Sequence, residues 1–242
     1  VPYHWFIQGD TNQRGRLYHG YLNFCVSQLP LDCGNVLDAG CGDGKLLGEI
    51  VRSGRRGSFH GVDYSERAVG FARLLVPKAS FTCSDLAILP YEDALFDTIF
   101  LVETLEHIKP SEIPTILTEL ARVLKKNGRL VVTVPSTLLG IPSPESKHYQ
   151  HFTPTSLSET LTPVFGISRL FGQDKAGFHL LKVVYRMLDN ALWDIKPLRR
   201  WYNKCVWAKY FNICSPEAGR RLIAIGLRRE MSDHTEELKY AR

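Results

Sequence analysis

The 242-residue chain has no apolar run that reaches the roughly 18 residues of a membrane-spanning helix, so nothing in it reads as a transmembrane segment. Its opening residues, Val1-Pro2-Tyr3-His4-Trp5-Phe6, lack the basic-then-apolar layout of a signal peptide; the absence of an initial Met leaves a removed leader open. Cysteine is sparse. The six present (Cys25, Cys33, Cys41, Cys83, Cys205 and Cys214) show no Cys-x-x-Cys spacing and no disulfide-framework density, and they read as reduced, buried or incidental thiols of a cytoplasmic protein. Internal repeats and low-complexity tracts are missing as well. An excess of one charge is nearly missing: the formal net charge of +5 permits a phosphate-bearing or membrane-surface partner without demanding one. What remains is an ordinary globular composition, 44% hydrophobic and 23% charged, in a length that suits one α/β domain with a modest insertion.

Strand-like and helix-like segments alternate along the chain, which points to a parallel sheet covered by helices on both faces. The strand candidates are Asn35–Ala39, Ser58–Asp63, Ser80–Ser84, Phe96–Glu103 and Arg129–Pro135, each short and apolar. Between the last two, Ile113, Ile116, Leu117, Leu120 and Leu124 recur at helical spacing, with Ser111 placed to cap the start and Lys125-Lys126 before Gly128 marking the end. After Pro135 comes a loop rich in Pro, Ser and His. A helix from about Thr153-Pro154, a strand near Phe165–Phe171 and a final strand at Arg221–Leu227 follow. The segment Phe178–Phe211 reads as a helical, aromatic insert, and Glu230–Arg242 as a polar, frayed tail.

Chemistry-bearing residues gather at the carboxyl ends of these strands, where open α/β sheets bind ligands. The first strand runs into Asp38-Ala39-Gly40-Cys41-Gly42-Asp43-Gly44, where closely spaced glycines let the backbone turn sharply and approach a ligand. The spacing is Gly-x-Gly-x-Gly, not the Gly-x-Gly-x-x-Gly of dinucleotide sites, and a carboxylate precedes it. That carboxylate would repel a pyrophosphate and suits a ligand carrying an ammonium and a sulfonium, which favours S-adenosylmethionine (SAM) over NAD. Asp63 ends the second strand, about twenty residues beyond the glycines, where an acid can accept both hydroxyls of an adenosine ribose. Asp85, in Ser84-Asp85-Leu86 after the third strand, can meet the adenine amino group.

With these residues in view, the stretch from about Asn35 to Pro135 resembles the class I SAM-dependent methyltransferase superfamily. Phe96-Asp97-Thr98-Ile99, Leu105-Glu106-His107-Ile108 and Ala121–Gly128 carry the likeness further. The resemblance implies a Rossmann-like α/β fold with a seven-stranded sheet whose final strand is antiparallel. The SAM-binding core would comprise 35–177 and 212–229, behind an N-terminal helical segment (1–34) that closes on the cofactor. It implies a cofactor site formed by Arg16, Asp38, Gly40, Cys41, Gly42, Asp63, Tyr64, Asp85, Leu86 and Glu103. Arg16 is the candidate for the methionine carboxylate, although a solvated helix arginine is the plainer reading of that residue. The fold says little about the acceptor.

Glu103, Glu106 and His107 follow the fourth strand at i, i+3, i+4, a spacing that would share one face of a helical turn. With His148 from His148-Tyr149-Gln150-His151-Phe152 they could hold a divalent metal, which would lower the pKa of a bound hydroxyl. Glu106, His107 and His151 are the catalytic candidates, and the metal-free alternative makes His107 or His151 a general base. Glu-x-x-Glu-His followed by a later His resembles two metal-assisted groups, the ubiquinone-biosynthesis O-methyltransferases and the small-RNA 2′-O-methyltransferases. Leu-Glu-His at this place also recurs in the superfamily without metal, where its backbone shapes the SAM pocket.

The insert at 178–211 interleaves Lys182, Arg186, Lys196, Arg199, Arg200, Lys204 and Lys209 with Trp193, Trp201, Trp207 and several tyrosines. This suits a substrate cap, a peripheral membrane contact, a nucleic-acid surface, or an ordinary amphipathic cap packed on the sheet. No RNA-binding module accompanies it. The reading is a SAM-dependent methyltransferase acting on oxygen of a small or lipid-like hydroxylated acceptor; RNA 2′-O-methylation and a non-catalytic SAM-binding partner protein are the alternatives.

Overall fold

The computed structural model describes Trp5 and residues 13–142, 147–175 and 213–229, with side chains described from residue 20 onward apart from Trp5. The proposed insert at Phe178–Phe211 lies outside the described residues, as does the side chain of Arg16. Seven strands form one sheet: β1 (Asp32–Ala39), β2 (Arg56–Asp63), β3 (Ser80–Cys83), β4 (Phe96–Val102), β5 (Leu124–Pro135), β6 (Phe165–Lys175) and β7 (Gly219–Arg228). Their order is β3-β2-β1-β4-β5-β7-β6, with β7 antiparallel to both β5 and β6. Helices α1 (Gln13–Ser27), α2 (Lys45–Arg52), α3 (Glu66–Leu75), α4 (Ile113–Val123) and α5 (Pro154–Leu161) complete the described elements. Among the described residues, no helix is long and apolar enough to cross a membrane.

Two-residue periodicity explains why both faces need cover. Leu37, Ile99, Leu101, Leu130 and Val132 point into one core, shared with α4 and α5. Val36, Phe100 and Val131, of opposite parity, point into a second core with Leu22, Cys25, Leu47 and Ile50 from α1 and α2. Each fully buried Leu, Ile or Phe contributes about 1.5–3 kcal/mol, so the sheet centre is the most strongly held part. The chain runs outward from β1 through β2 to β3, then returns to lay β4 on the other side of β1. That reversal opens a crevice above the carboxyl ends of β1 and β4.

Two helix-end expectations differ from the structure. Ser111 does not cap α4: Glu112 occupies the N-cap without a side-chain hydrogen bond, and proline stands in the first turn. Lys125 and Lys126 do not close that helix but belong to β5, because Leu124 turns extended and is fully buried. Lys125 then reaches both oxygens of Asp97 at 2.8 Å, at the start of β4 and away from the crevice. Thr153 does cap α5, sharing a reciprocal capping box with Ser156.

Candidate active site

The crevice is a cleft of about 1090 Å³ lined by residues at or just past the ends of β1 to β4, from Gly40 and Asp63 to Asp85 and Glu103, and by Arg221 of β7. Its first wall is the glycine loop. The backbone N–H groups of Gly40 and Cys41 both donate to the Val62 carbonyl, at 2.7 and 2.9 Å, which staples the loop to the end of β2. Gly40 has φ +79°, and a Cβ there would collide with Thr104. Gly42 has φ +52°, and a Cβ there would meet nothing within 4 Å; the loop leaves an open cradle at this point.

Three carboxylates surround that cradle. Asp63 is held rigidly, one oxygen accepting from Gly42 N and the other from Ser65 N, both at 2.9 Å. A carboxylate has further lone pairs, so two fixed hydrogen bonds still leave it able to accept from a diol. Asp85 accepts from Ala87 N at 2.9 Å and stands at the cleft edge. Tyr64, 85% exposed, and buried Leu86 give that half two apolar surfaces. Asp38 and Cys41 lie beneath the loop, 3% and 7% exposed. Burial pushes the Asp38 carboxyl up to about 8, and the charges of Asp63 and Asp43 push the same way. Trp5 docks on the outer side, its indole N–H donating to the Asp43 carbonyl at 2.9 Å and its ring resting against Gly48.

At the other wall the expected helical face of Glu103, Glu106 and His107 is not formed. Glu103 has φ +49°, a left-handed residue that ends β4, and only Leu105–His107 make a short 3₁₀ turn. Its carboxylate is therefore turned to Arg221 of β7, which donates through Nε and Nη2 at 2.9 Å each, while Thr133 donates at 2.9 Å. The Arg221 guanidinium lies 4.2 Å from the ring centre of Tyr21 in α1. Burial pushes the Glu103 carboxyl up, but the Arg221 charge and the hydrogen bonds from Arg221 and Thr133 outweigh it and hold it below the usual range. Glu103 is thus paired with an internal cation, and the ligand atoms that converge nearby are those of Glu106, His107 and His148. Arg221 figured in the sequence only as the start of the last strand, and Tyr21 not at all. A signal was there: Arg221 has the same parity as Ile223 and Ile225, an arginine in the place of a buried apolar residue.

Glu106 remains, 1% exposed, with Oε2 buried and lacking a hydrogen-bond partner. Burial first, then the Glu103 charge, raises its carboxyl well above the ordinary range. Glu106, His107 and His148 form a group whose ligand atoms all lie within 4.8 Å of one another. The 3₁₀ turn and the later loop are joined by Tyr149 N donating to the Glu106 carbonyl at 2.8 Å, and by His107 Nδ1 donating to the Lys147 carbonyl at 3.1 Å. His151 Nδ1 donates to the Gly140 carbonyl at 2.7 Å and contacts His148 Nδ1 through its Nε2 at 3.0 Å. Carbonyls only accept, so both Nδ1 atoms facing them carry hydrogen. Neutral His107 then has its lone pair on Nε2; neutral His151 accepts through Nε2 from His148 Nδ1–H, which puts the His148 lone pair on Nε2 as well. Burial lowers the pKa of His148, and the neighbouring His107 and His151 lower it further, which favours the neutral ligand form.

A family model for a methyltransferase domain matches residues 36–128. The chain carries a class I SAM-dependent methyltransferase domain. The domain is 33% identical over 108 residues to a probable S-adenosylmethionine-dependent methyltransferase of Mycobacterium tuberculosis, covering 45% of this chain and 38% of that one. It is 29% identical over 113 residues to the ubiquinone biosynthesis O-methyltransferase of Coxiella burnetii, covering 45% and 47%. The chain thus spans less than half the length of these curated relatives. In fold it is similar to the PH0226 protein of Pyrococcus horikoshii, with a TM-score of 0.62 at 18% identity over 95% of this chain and 99% of that one. For the methyltransferase domain, the donor set fits SAM: the glycine cradle is open, acids flank it, and no cation that could hold a pyrophosphate lines that half among the described residues.

Proposed function

We propose that the protein methylates an oxygen of a small or lipid-like hydroxylated acceptor, using SAM and a divalent cation held by Glu106, His107 and His148. SAM, when bound, supplies a methyl group activated by a sulfonium. Asp63 would accept the ribose hydroxyls, Asp85 would face the adenine amino group, and Asp38 would offset the ligand's positive charge. Glu103, locked by Arg221, sets the backbone turn that places Glu106 and His107 on the opposite wall. The observation that carries the reading is the buried, unpartnered Glu106 Oε2 beside two imidazoles oriented through their Nδ1 atoms. Ligating histidines are commonly oriented in this way, by a carbonyl or another acceptor on the second nitrogen. One carboxylate and two imidazoles suit zinc, manganese or iron(II) better than magnesium. A cation there would lower the pKa of an acceptor hydroxyl. The name of the Coxiella relative supports oxygen as the atom methylated.

The 3.0 Å contact between His148 and His151 favours a second reading without metal. His148 Nε2 would take the hydroxyl proton, Nδ1 would pass its own to His151, and the Gly140 carbonyl would stabilise the resulting charge. Chelation separates the two. Phenols and catechols are incubated with methyl-labelled SAM, with and without EDTA. The metal reading expects labelled ether that disappears in EDTA and returns with manganese or zinc. Full turnover in EDTA would overturn it in favour of the histidine pair, and protein that fails to bind SAM would overturn both.

A further inference from the structure

Trp5 is seated against the glycine loop and α2 by contacts of three kinds. Its indole N–H donates to the Asp43 carbonyl at 2.9 Å, across 38 positions of sequence. The edge of its ring lies on Gly48 of α2, where a Cβ would stand 2.6 Å from the nearest ring atom. The buried Lys45 ammonium, paired with Glu49 at 3.0 Å, lies 4.7 Å from the ring centre. A glycine inside a helix costs stability relative to alanine, because its backbone has more freedom to lose. Here the missing Cβ makes room for the indole.

The seat bears on one corner of the loop. The Asp43 carbonyl and the Gly44 N–H belong to a single planar peptide, so fixing one orients the other. Gly44 N donates to the Cys41 carbonyl at 2.9 Å and closes the turn that contains Gly42, the open point of the cradle. Gly44 is also the N-cap of α2, at φ +76°, and no side-chain hydrogen bond caps the helix there. Glycine enters and leaves such a conformer with little cost, so hydrogen bonds must hold it. At the other corner, the Val62 carbonyl and the Asp63 carboxylate of β2 fasten Gly40, Cys41 and Gly42. The Asp43–Gly44 corner is held from outside, by Trp5.

We propose that Trp5 is a positioning residue for the cofactor: seated on Gly48, it holds the Asp43–Gly44 peptide in the orientation that keeps the loop receptive to SAM. This rests on the reading of the cleft as a SAM site. Trp5 is not among the residues that line the cleft, and it acts through the peptide it fixes. With the indole gone, that peptide can rotate and the Cys41–Gly44 turn opens part of the time. SAM then meets a receptive loop in only a fraction of the molecules, and its apparent affinity falls by that fraction. Linkage makes the effect reciprocal: SAM must tighten the seat by the same factor by which the seat tightens SAM.

Two measurements on the full chain read the two sides of this linkage. Isothermal titration should give Trp5→Ala an affinity for SAM about tenfold below that of wild type, with a cooperative melt showing that both are folded. Gly48→Ala favours the helix itself but puts a Cβ where the ring lies, so it should weaken SAM similarly. The double variant should bind no more weakly than Trp5→Ala alone, because both changes break one contact. In ¹⁵N-labelled wild type, hydrogen exchange of the Trp5 indole N–H, identified by its loss in Trp5→Phe, should slow about tenfold in saturating SAM. A tryptophan that only packs on α2 would move the melting temperature and leave both readings unchanged. Folded Trp5→Ala that binds SAM as tightly as wild type would overturn the proposal. Should Trp5→Ala fail to fold, the wild-type exchange rate decides, and a rate that ignores SAM would overturn the proposal equally. Folded wild type that binds no SAM would overturn the SAM reading itself.

Discussion

The Arg221–Glu103 pair ties the end of β4 to β7 at one wall of the cleft, and Arg221→Met tests what it contributes. The substitution removes two charge-assisted hydrogen bonds of 2.9 Å and leaves the carboxylate with Thr133 as its remaining side-chain donor. Taking one partner from a fully buried ion pair costs about 3–5 kcal/mol. Here the side chains retain 16% and 24% of their exposure, so water screens part of the charge and about 2–3 kcal/mol is expected. In a domain of this size each kcal/mol moves the melting temperature by about 2–4 °C, which gives a fall of about 5–10 °C. The pH dependence has a definite sign. The Glu103 carboxyl is held below its ordinary value in the folded state, so the pair's contribution is fully present above about pH 4.3 and is lost as pH falls through the folded value. Differential scanning calorimetry should therefore show the full gap between wild type and Arg221→Met at pH 7 and a narrowing gap below pH about 4. Melting temperatures within about 1 °C at pH 7 would refute the reasoning. Arg221→Lys should recover only part of the loss, because an ammonium cannot reproduce the two-pronged contact.

Asp63→Ala should leave the fold intact and weaken SAM binding by about 1–3 kcal/mol, roughly 5- to 150-fold, since two ribose hydroxyls lose their acceptor; unchanged affinity by calorimetry would remove Asp63 from the site. Gly40→Ala and Gly42→Ala should part company: both strain a positive φ, but only the first drives a Cβ into Thr104. The first should lower the melting temperature more, and the second should fill the open cradle and mainly reduce SAM affinity. His148→Ala should strip bound zinc or manganese from the purified protein, read by elemental analysis, and metal retained at wild-type stoichiometry would exclude His148 as a ligand. If 178–211 contacts membranes, anionic vesicles should sediment the protein at low salt and release it at high salt.

Much of this molecule was legible from local sequence. Strand positions followed from short apolar runs, and the observed strands extend those segments by a few residues or end within one of them. The glycine loop, Asp63 and Asp85 were legible because each sits where its own strand stops, and turn chemistry is a property of a few adjacent residues. The end of α4 was misread because Leu124 continues the helical spacing; its burial in the sheet core and the reach of Lys125 to Asp97 decide for a strand. The fate of Glu103 lay further out of reach. Its spacing to Glu106 and His107 said helix, while its backbone is left-handed and its partner is Arg221, 118 positions away. Only the insertion of antiparallel β7 beside β5, pairing Pro135 with Arg221, brings that guanidinium under the end of β4. In the same way the His148–His151–Gly140 chain exists because the loop after β5 folds back on the turn after β4. The sequence by itself determined the period of each element, the turns that end them and the acids that stand at the strand ends. Which charges neutralise one another, and hence which carboxylate oxygen is left without a partner, was decided by strand order, because Coulomb and hydrogen-bond partners are chosen by distance in space and not by spacing along the chain.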